Sequence, residues 1–268
     1  MIIIIIIIII IIIEETSGTS MAVIGRGELD GARGISRFNE YFVAVASREN
    51  NTVNVYDVTT GNRWFGLGEK EPQVELHQPY DVTVTSDKSF LVIEHSGSIV
   101  EFNQEGRFSR KFSHEGICKP YWSIATDCNG RVVIGAGNTL SILSQGGSVA
   151  GTHQLRIKPH YIDLCGKQNE AVVSGDGRVE IVDLATGITK MRRSFAMSAG
   201  VCYSDDARYL FVVNRLRPYG PGVVDRHDAM SGDFIVREHE GLERPGGAVA
   251  FDTETLAIAD WNSVKIFT

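Results

Sequence analysis

The chain repeats itself about every 40 residues, and this period constrains its fold more than any other feature. The clearest copy is residues 119–147, KPYWSIATDCNGRVVIGAGNTLSILSQGG. It opens on Pro120, runs through an apolar strand at Ile124 and Ala125, and turns at Asp127, Asn129 and Gly130. A second strand covers residues 132–134, a break follows at residues 135–138, and a third strand carries Leu140, Ile142 and Leu143. The same grammar stands upstream at residues 78–106, opening on Pro79, and downstream at residues 158–187, opening on Pro159. Further copies span residues 34–61, begin near Ala199, and begin at Pro245, giving six.

Such a period, with three or four short strands per copy, is the signature of a propeller blade. The strands alternate at period two, as in Val53-Asn54-Val55-Tyr56 and Val179-Glu180-Ile181-Val182. One blade alone cannot bury both faces of its sheet, but stacked neighbours can, and ring closure covers the two end blades. The sequence therefore predicts an all-β, six-bladed β-propeller over residues 21–268, with little helix. A spare apolar strand at Met21 to Ile24 precedes the first copy, and the last copy ends after its third strand. Pairing the two would close the ring by joining the chain ends.

Residues 2–13 are an unbroken isoleucine run, and residues 1–20 are read as a low-complexity segment and tether, artefactual or disordered. The run is too short for a membrane helix, which needs about 20 apolar residues. Acidic Glu14 and Glu15 follow it and no basic residue precedes it, unlike a signal peptide. The four cysteines, Cys118, Cys128, Cys165 and Cys202, show no CxxC spacing and read as small apolar residues of a reducing, cytoplasmic compartment. A net charge of −7 opposes a broad electrostatic grip on nucleic acid.

The copies resemble NHL repeats. The likeness rests on LAIADWNSVKIF (residues 256–267), KPYWSIATDCNGRVVI (119–134), QPYDVTV (78–84) and the glycine-rich lead-in AVIGRGELDGARGIS (22–36). The histidine that names the repeat is absent, and only Asp260 keeps the Asp that closes the second strand. The resemblance implies a non-catalytic recognition propeller. In tripartite-motif proteins such propellers select substrates for ubiquitin transfer, and some bind RNA.

Chemistry is harder to find. Seven histidines are scattered, and no HExxH, GxSxG or phosphate loop is present. Six-bladed lactonases and lyases hold a metal on the ring axis. Here Glu94, Asn214 and Asp260, at second-strand ends, are the candidates for a calcium site in that alternative reading. A binding rim fits the residue types better. Arg48, Tyr80, His95, Tyr121, His160, Arg215, Arg217, Tyr219 and Trp261 fall at strand ends or connections of one expected face. Tyr, Trp and Arg dominate binding hot spots. The expectation is a monomeric propeller without cofactor, docking a protein or peptide at this rim. Basic spots at Arg107, Arg110 and Lys111 and at Lys190, Arg192 and Arg193 keep RNA as the alternative ligand, on outer strands rather than across one face.

Overall fold

The computed structural model describes residues 21–71, 73–127, 129–144, 147–165, 167–195, 197–215 and 221–268. Among them, 24 strands form six four-stranded antiparallel sheets, with no helix. The first strand, β1 (Met21–Ile24), belongs to the last blade. Blade one is β2 (Ala32–Arg37), β3 (Phe42–Ser47), β4 (Thr52–Asp57) and β5 (Arg63–Gly66). Blade two is β6 (Pro79–Val84), β7 (Phe90–Glu94), β8 (Ile99–Phe102) and β9 (Phe108–Phe112). Blade three is β10 (Tyr121–Thr126), β11 (Val132–Ala136), β12 (Thr139–Leu143) and β13 (Val149–Gln154). Blade four is β14 (Tyr161–Cys165), β15 (Glu170–Gly175), β16 (Arg178–Asp183) and β17 (Thr189–Ser194). Blade five is β18 (Ser198–Tyr203), β19 (Tyr209–Arg215), β20 (Gly222–Asp228) and β21 (Phe234–Leu242). Blade six is β22 (Pro245–Ala250), β23 (Leu256–Asp260) and β24 (Ser263–Phe267), completed by β1.

The expected seam is present. β1 pairs antiparallel with β24, Met21 opposite Phe267 and Ile24 opposite Val264. Innermost strands lie side by side around the axis, and β22 returns against β2. The ring is a six-bladed β-propeller.

Period-two patterning explains how one sheet serves two neighbours. On β3, Val43 and Val45 pack with Ala257, Ala259 and Val264 of blade six. The intervening Ala44 and Ala46 pack with Val82, Phe90 and Val92 of blade two. Six such apolar clusters sit between successive blades, so the core is a ring of interfaces. Each fully buried large side chain in it, such as Phe90, Phe102 and Ile134, contributes about 1.5–3 kcal/mol.

Side chains of the innermost strands also staple blades together. Asp81 Oδ2 accepts bonds from Ser123 Oγ (2.8 Å) and the Ile124 amide (3.0 Å) of the next blade. Asp163 Oδ2 accepts the Tyr203 amide (2.8 Å) in the same way. Both line an axial cavity of about 190 Å³ that touches all six innermost strands. Burial pushes Asp81 up to about 7 and Asp163 up to about 6, against the downward pull of those hydrogen bonds.

Candidate functional site

One face of the ring gathers the starts of the innermost strands and the turns between second and third strands. Its centre is built by β-bulges. In blade two Pro79 pairs with Glu94 and Asp81 with Ile93, which leaves Tyr80 as the extra residue. In blade three Tyr121 pairs with Ala136 and Ser123 with Gly135, which leaves Trp122 extra. In blade one the register breaks between Ala32 and Ile35, around Arg33. Blades five and six break at the same level, between Ser198 and Val201 and between Pro245 and Ala248. A bulge re-aims its extra side chain. Five blades therefore change direction where the axis opens.

The re-aimed side chains meet across blades. Trp122 lies 5.5 Å from the Tyr80 ring, 5.4 Å from His95 and 5.2 Å from His160, joining blades two, three and four. The Arg33 guanidinium lies 5.5 Å over Tyr80 and 6.0 Å from Trp261, joining blades one, two and six. It also lies beside the Tyr161 hydroxyl of blade four, on the opposite side of the ring. Arg244 covers the other part of Trp261 at 4.0 Å. Stacked guanidinium–aromatic contacts of this kind are worth roughly 0.5–2 kcal/mol each.

The mouth is positively charged. Burial lowers the Arg215 pKa, and the nearby charges of Arg244 and Arg33 lower it further against the upward pull of Asp260 and Tyr161. Among the described residues, Arg33, Arg215 and Arg244 have no carboxylate within ion-pair distance. Arg48 is paired at 3.5 Å with Glu49 and reaches Gln78 Oε1 at 3.4 Å. Nε of Arg33, Nε of Arg48 and Nδ1 of His95 are buried without a hydrogen-bond partner among the described residues. Burial depresses both imidazoles. The Arg48 charge adds to this for His95. At His160, Asp176 pulls upward while Lys158 and Arg33 push down. Both rings are therefore neutral at pH 7.

Backbone strain marks the same face. The equivalent first turn residues of blades three, four and six are Gly137, Asp176 and Trp261, with φ of 55°, 49° and 50°. Gly and Asp tolerate the left-handed region, whereas a bulky Trp does so at a cost of order 1 kcal/mol. Gln78, beside Arg48, also has a positive φ of 48°.

Of the expected rim residues, Arg48, His95, His160, Arg215 and Trp261 lie at this mouth, and Tyr80 is buried beneath it, against Arg33 and Trp122. Arg217 and Tyr219 lie outside the described residues. Tyr121 does not belong to the rim. It is 0% exposed, and its hydroxyl exchanges hydrogen bonds with the His114 backbone. The bulge gives the rim position to Trp122 instead. Arg33, Tyr161 and Arg244 complete the set.

The candidate axial ligands are engaged by other groups. Glu94 is tied to Lys111 (2.7 Å) and the His77 amide (2.9 Å), and Asn214 donates to Asp225 (2.8 Å). Asp260 accepts Lys265 (2.9 Å) and the amides of Glu243 and Arg244 (3.0 and 2.7 Å). Each is engaged by partners at its own blade, and no contact among the described residues joins the three. Among the described residues, no cluster of three His, Cys, Asp or Glu side chains fits a metal ion. Five of the six residues of the basic spots, all but Arg107, are also spent. Arg110, Lys111, Lys190, Arg192 and Arg193 pair with Glu101, Glu94, Glu170, Glu180 and Asp233 at 2.6–2.9 Å.

No protein-family model matches the chain, and no curated protein matches its sequence. Solved structures do share its architecture. Hydrazine synthase of Kuenenia stuttgartiensis superposes with a TM-score of 0.65 at 15% identity, over 87% of this chain and 74% of that one. Virginiamycin B lyase of Staphylococcus aureus superposes with a TM-score of 0.62 at 12% identity, over 93% of this chain and 99% of that one. At such identities the likeness is one of fold, and the chain is a six-bladed β-propeller with a charged, aromatic mouth on its axis.

Proposed function

We propose that this chain is a non-catalytic recognition module, acting as a monomeric cytoplasmic ring, that docks a segment of a partner protein at the axial mouth. One observation carries the reading. All six blades send arginine or aromatic side chains to one opening: Arg33 and Arg48, Tyr80 and His95, Trp122, His160 and Tyr161, Arg215, then Arg244 and Trp261. These are hot-spot residue types, grouped centrally. The NHL-like segments support a setting like that of tripartite-motif proteins, where the propeller selects and a separate domain acts. The alternative of RNA draws less support, because the basic residues of the outer strands are paired with acids.

The test is a triple substitution, Arg48→Ala, Trp122→Ala and Arg215→Ala, assayed against partners identified by affinity capture and mass spectrometry. Partner affinity falls at least about tenfold while the melting temperature shifts by only a few degrees. Unchanged affinity refutes the assignment. The name of the lyase neighbour suggests an enzymatic reading, for which a stoichiometric divalent ion in the purified protein would speak.

A further inference from the structure

We infer that the mouth reads carboxylate groups, and that its ligand is a short acidic peptide segment carrying an aromatic side chain. This deepens the recognition reading above and rests on it. Three observations lead there. Arg33 and Arg244 flank the Trp261 ring at 6.0 and 4.0 Å, Arg215 stands at the neighbouring strand end, and among the described residues none of the three forms an ion pair, although Asp260 lies near enough to Arg215 to offset part of the repulsion. A ligand carboxylate relieves that repulsion and accepts two parallel bonds from a guanidinium fork.

The second ligand element follows from Trp122. Its half-buried ring is flanked on three sides by Tyr80, His95 and His160, each from a different strand end. An aromatic residue beside the acidic ones completes that cluster, edge to face, within reach of the arginines.

Charge selects length. The protein carries a net −7, while the mouth is locally cationic. A field confined to one opening of an acidic molecule attracts a compact anion and repels a long one that must cross the outer surface. A short peptide segment meets that condition better than a nucleic acid strand.

Mouth tryptophans supply the readout. Of the three, Trp122 and Trp261 lie at the mouth and Trp64 lies elsewhere, 54% exposed, so Trp64→Phe removes the background. The probes are acetyl-Glu-Asp-Phe-Glu-Asp-amide, its Gln/Asn analogue, an octauridylate and inorganic phosphate. The expected result is saturable fluorescence change with the acidic peptide and at least about tenfold weaker binding of the amide analogue. Its affinity falls when salt rises from about 50 to about 300 mM. Arg33→Gln and Arg215→Gln each weaken it at least about fivefold, and Arg33→Lys restores only part, since a lysine lacks the fork.

Equal binding of the amide analogue, or indifference to Arg33→Gln, overturns the inference. Tighter binding of octauridylate than of the peptide assigns the mouth to nucleic acid and overturns it too. Binding of phosphate as tight as that of the peptide reduces the site to a general anion hole. If partner proteins are lost in the Arg48, Trp122, Arg215 variant but their capture ignores salt and Arg33→Gln, the carboxylate reading fails while the recognition reading stands. If capture ignores the triple variant, the recognition reading itself fails.

Discussion

Asp260 separates a structural ion pair from an axial metal ligand, and its removal gives the sharpest test of this ring. Its carboxylate side chain is 1% exposed and its partner Lys265 is 9% exposed, with Nζ at 2.9 Å. It also accepts the amides of Glu243 and Arg244. Asp260→Ala therefore strands a buried ammonium whose one remaining acceptor among the described residues is the Gly241 carbonyl at 2.9 Å, and orphans two amides. Breaking a buried pair from one side costs about 3–5 kcal/mol. For a chain of this size each kcal/mol moves the melting temperature by about 2–4 °C, so the expected fall is about 6–20 °C. Removing the stranded charge as well, in Asp260→Ala with Lys265→Met, recovers about 1–3 kcal/mol of the loss. Urea denaturation of the wild type, both single variants and the double variant gives the cycle. A loss below about 1 kcal/mol for Asp260→Ala, or no recovery in the double variant, refutes the ion-pair account. A wild-type melting temperature that drops on chelation would instead return Asp260 to a metal.

Three further outcomes follow from other parts of the ring. The folded-state pKa of Asp81, about 7, lies above its unfolded value, so ionising it opposes folding. The contribution of Asp81 to stability is therefore least favourable above about pH 7 and grows more favourable as the pH falls toward about 4. The difference between wild type and Asp81→Asn shifts by about 3 kcal/mol between about pH 8 and pH 5, and a pH-independent difference contradicts this. At the seam, Ile24→Ala empties a position 5% exposed in the blade one–blade six cluster and costs about 2–5 kcal/mol by denaturant melt. An effect below about 1 kcal/mol would show that β1 does not hold the ring. At the mouth, Trp261→Asn exchanges a strained residue for one at ease with positive φ. Stability changes by less than about 1 kcal/mol although an aromatic ring is lost, because relief of strain offsets lost packing. Ligand binding weakens in the same variant, and a loss of stability above about 3 kcal/mol would disprove the offset.

The parts of this structure that repeat were legible in the sequence. Proline spacing and period-two patterning located the blades, and the unpaired strand at each end of the repeat array located the seam, because an unsatisfied sheet edge demands a partner. The mouth was legible only as a level. Equivalent strand ends had to meet, which brought in Tyr80, His95, His160, Arg215 and Trp261. Which of two adjacent residues faces the opening depends on a one-residue bulge. Nothing in the string YWS says that Tyr121 turns inward and Trp122 outward. The carboxylates misled for a related reason. Position at a strand end does not reveal that Lys111 or Lys265, on another strand, will claim the side chain first.

The seam also fixes where handles can be attached. Met21 and Phe267 are paired neighbours. β24 starts at the Trp261 turn on the mouth face and runs away from it, so both ends of the described chain emerge together behind the ring. A domain joined directly at residue 21 or 268 therefore starts from the side away from the mouth. A short linker joining residues 21 and 268 would yield circular permutants that reopen in any outward turn, each presenting the same docking face from a different anchor point.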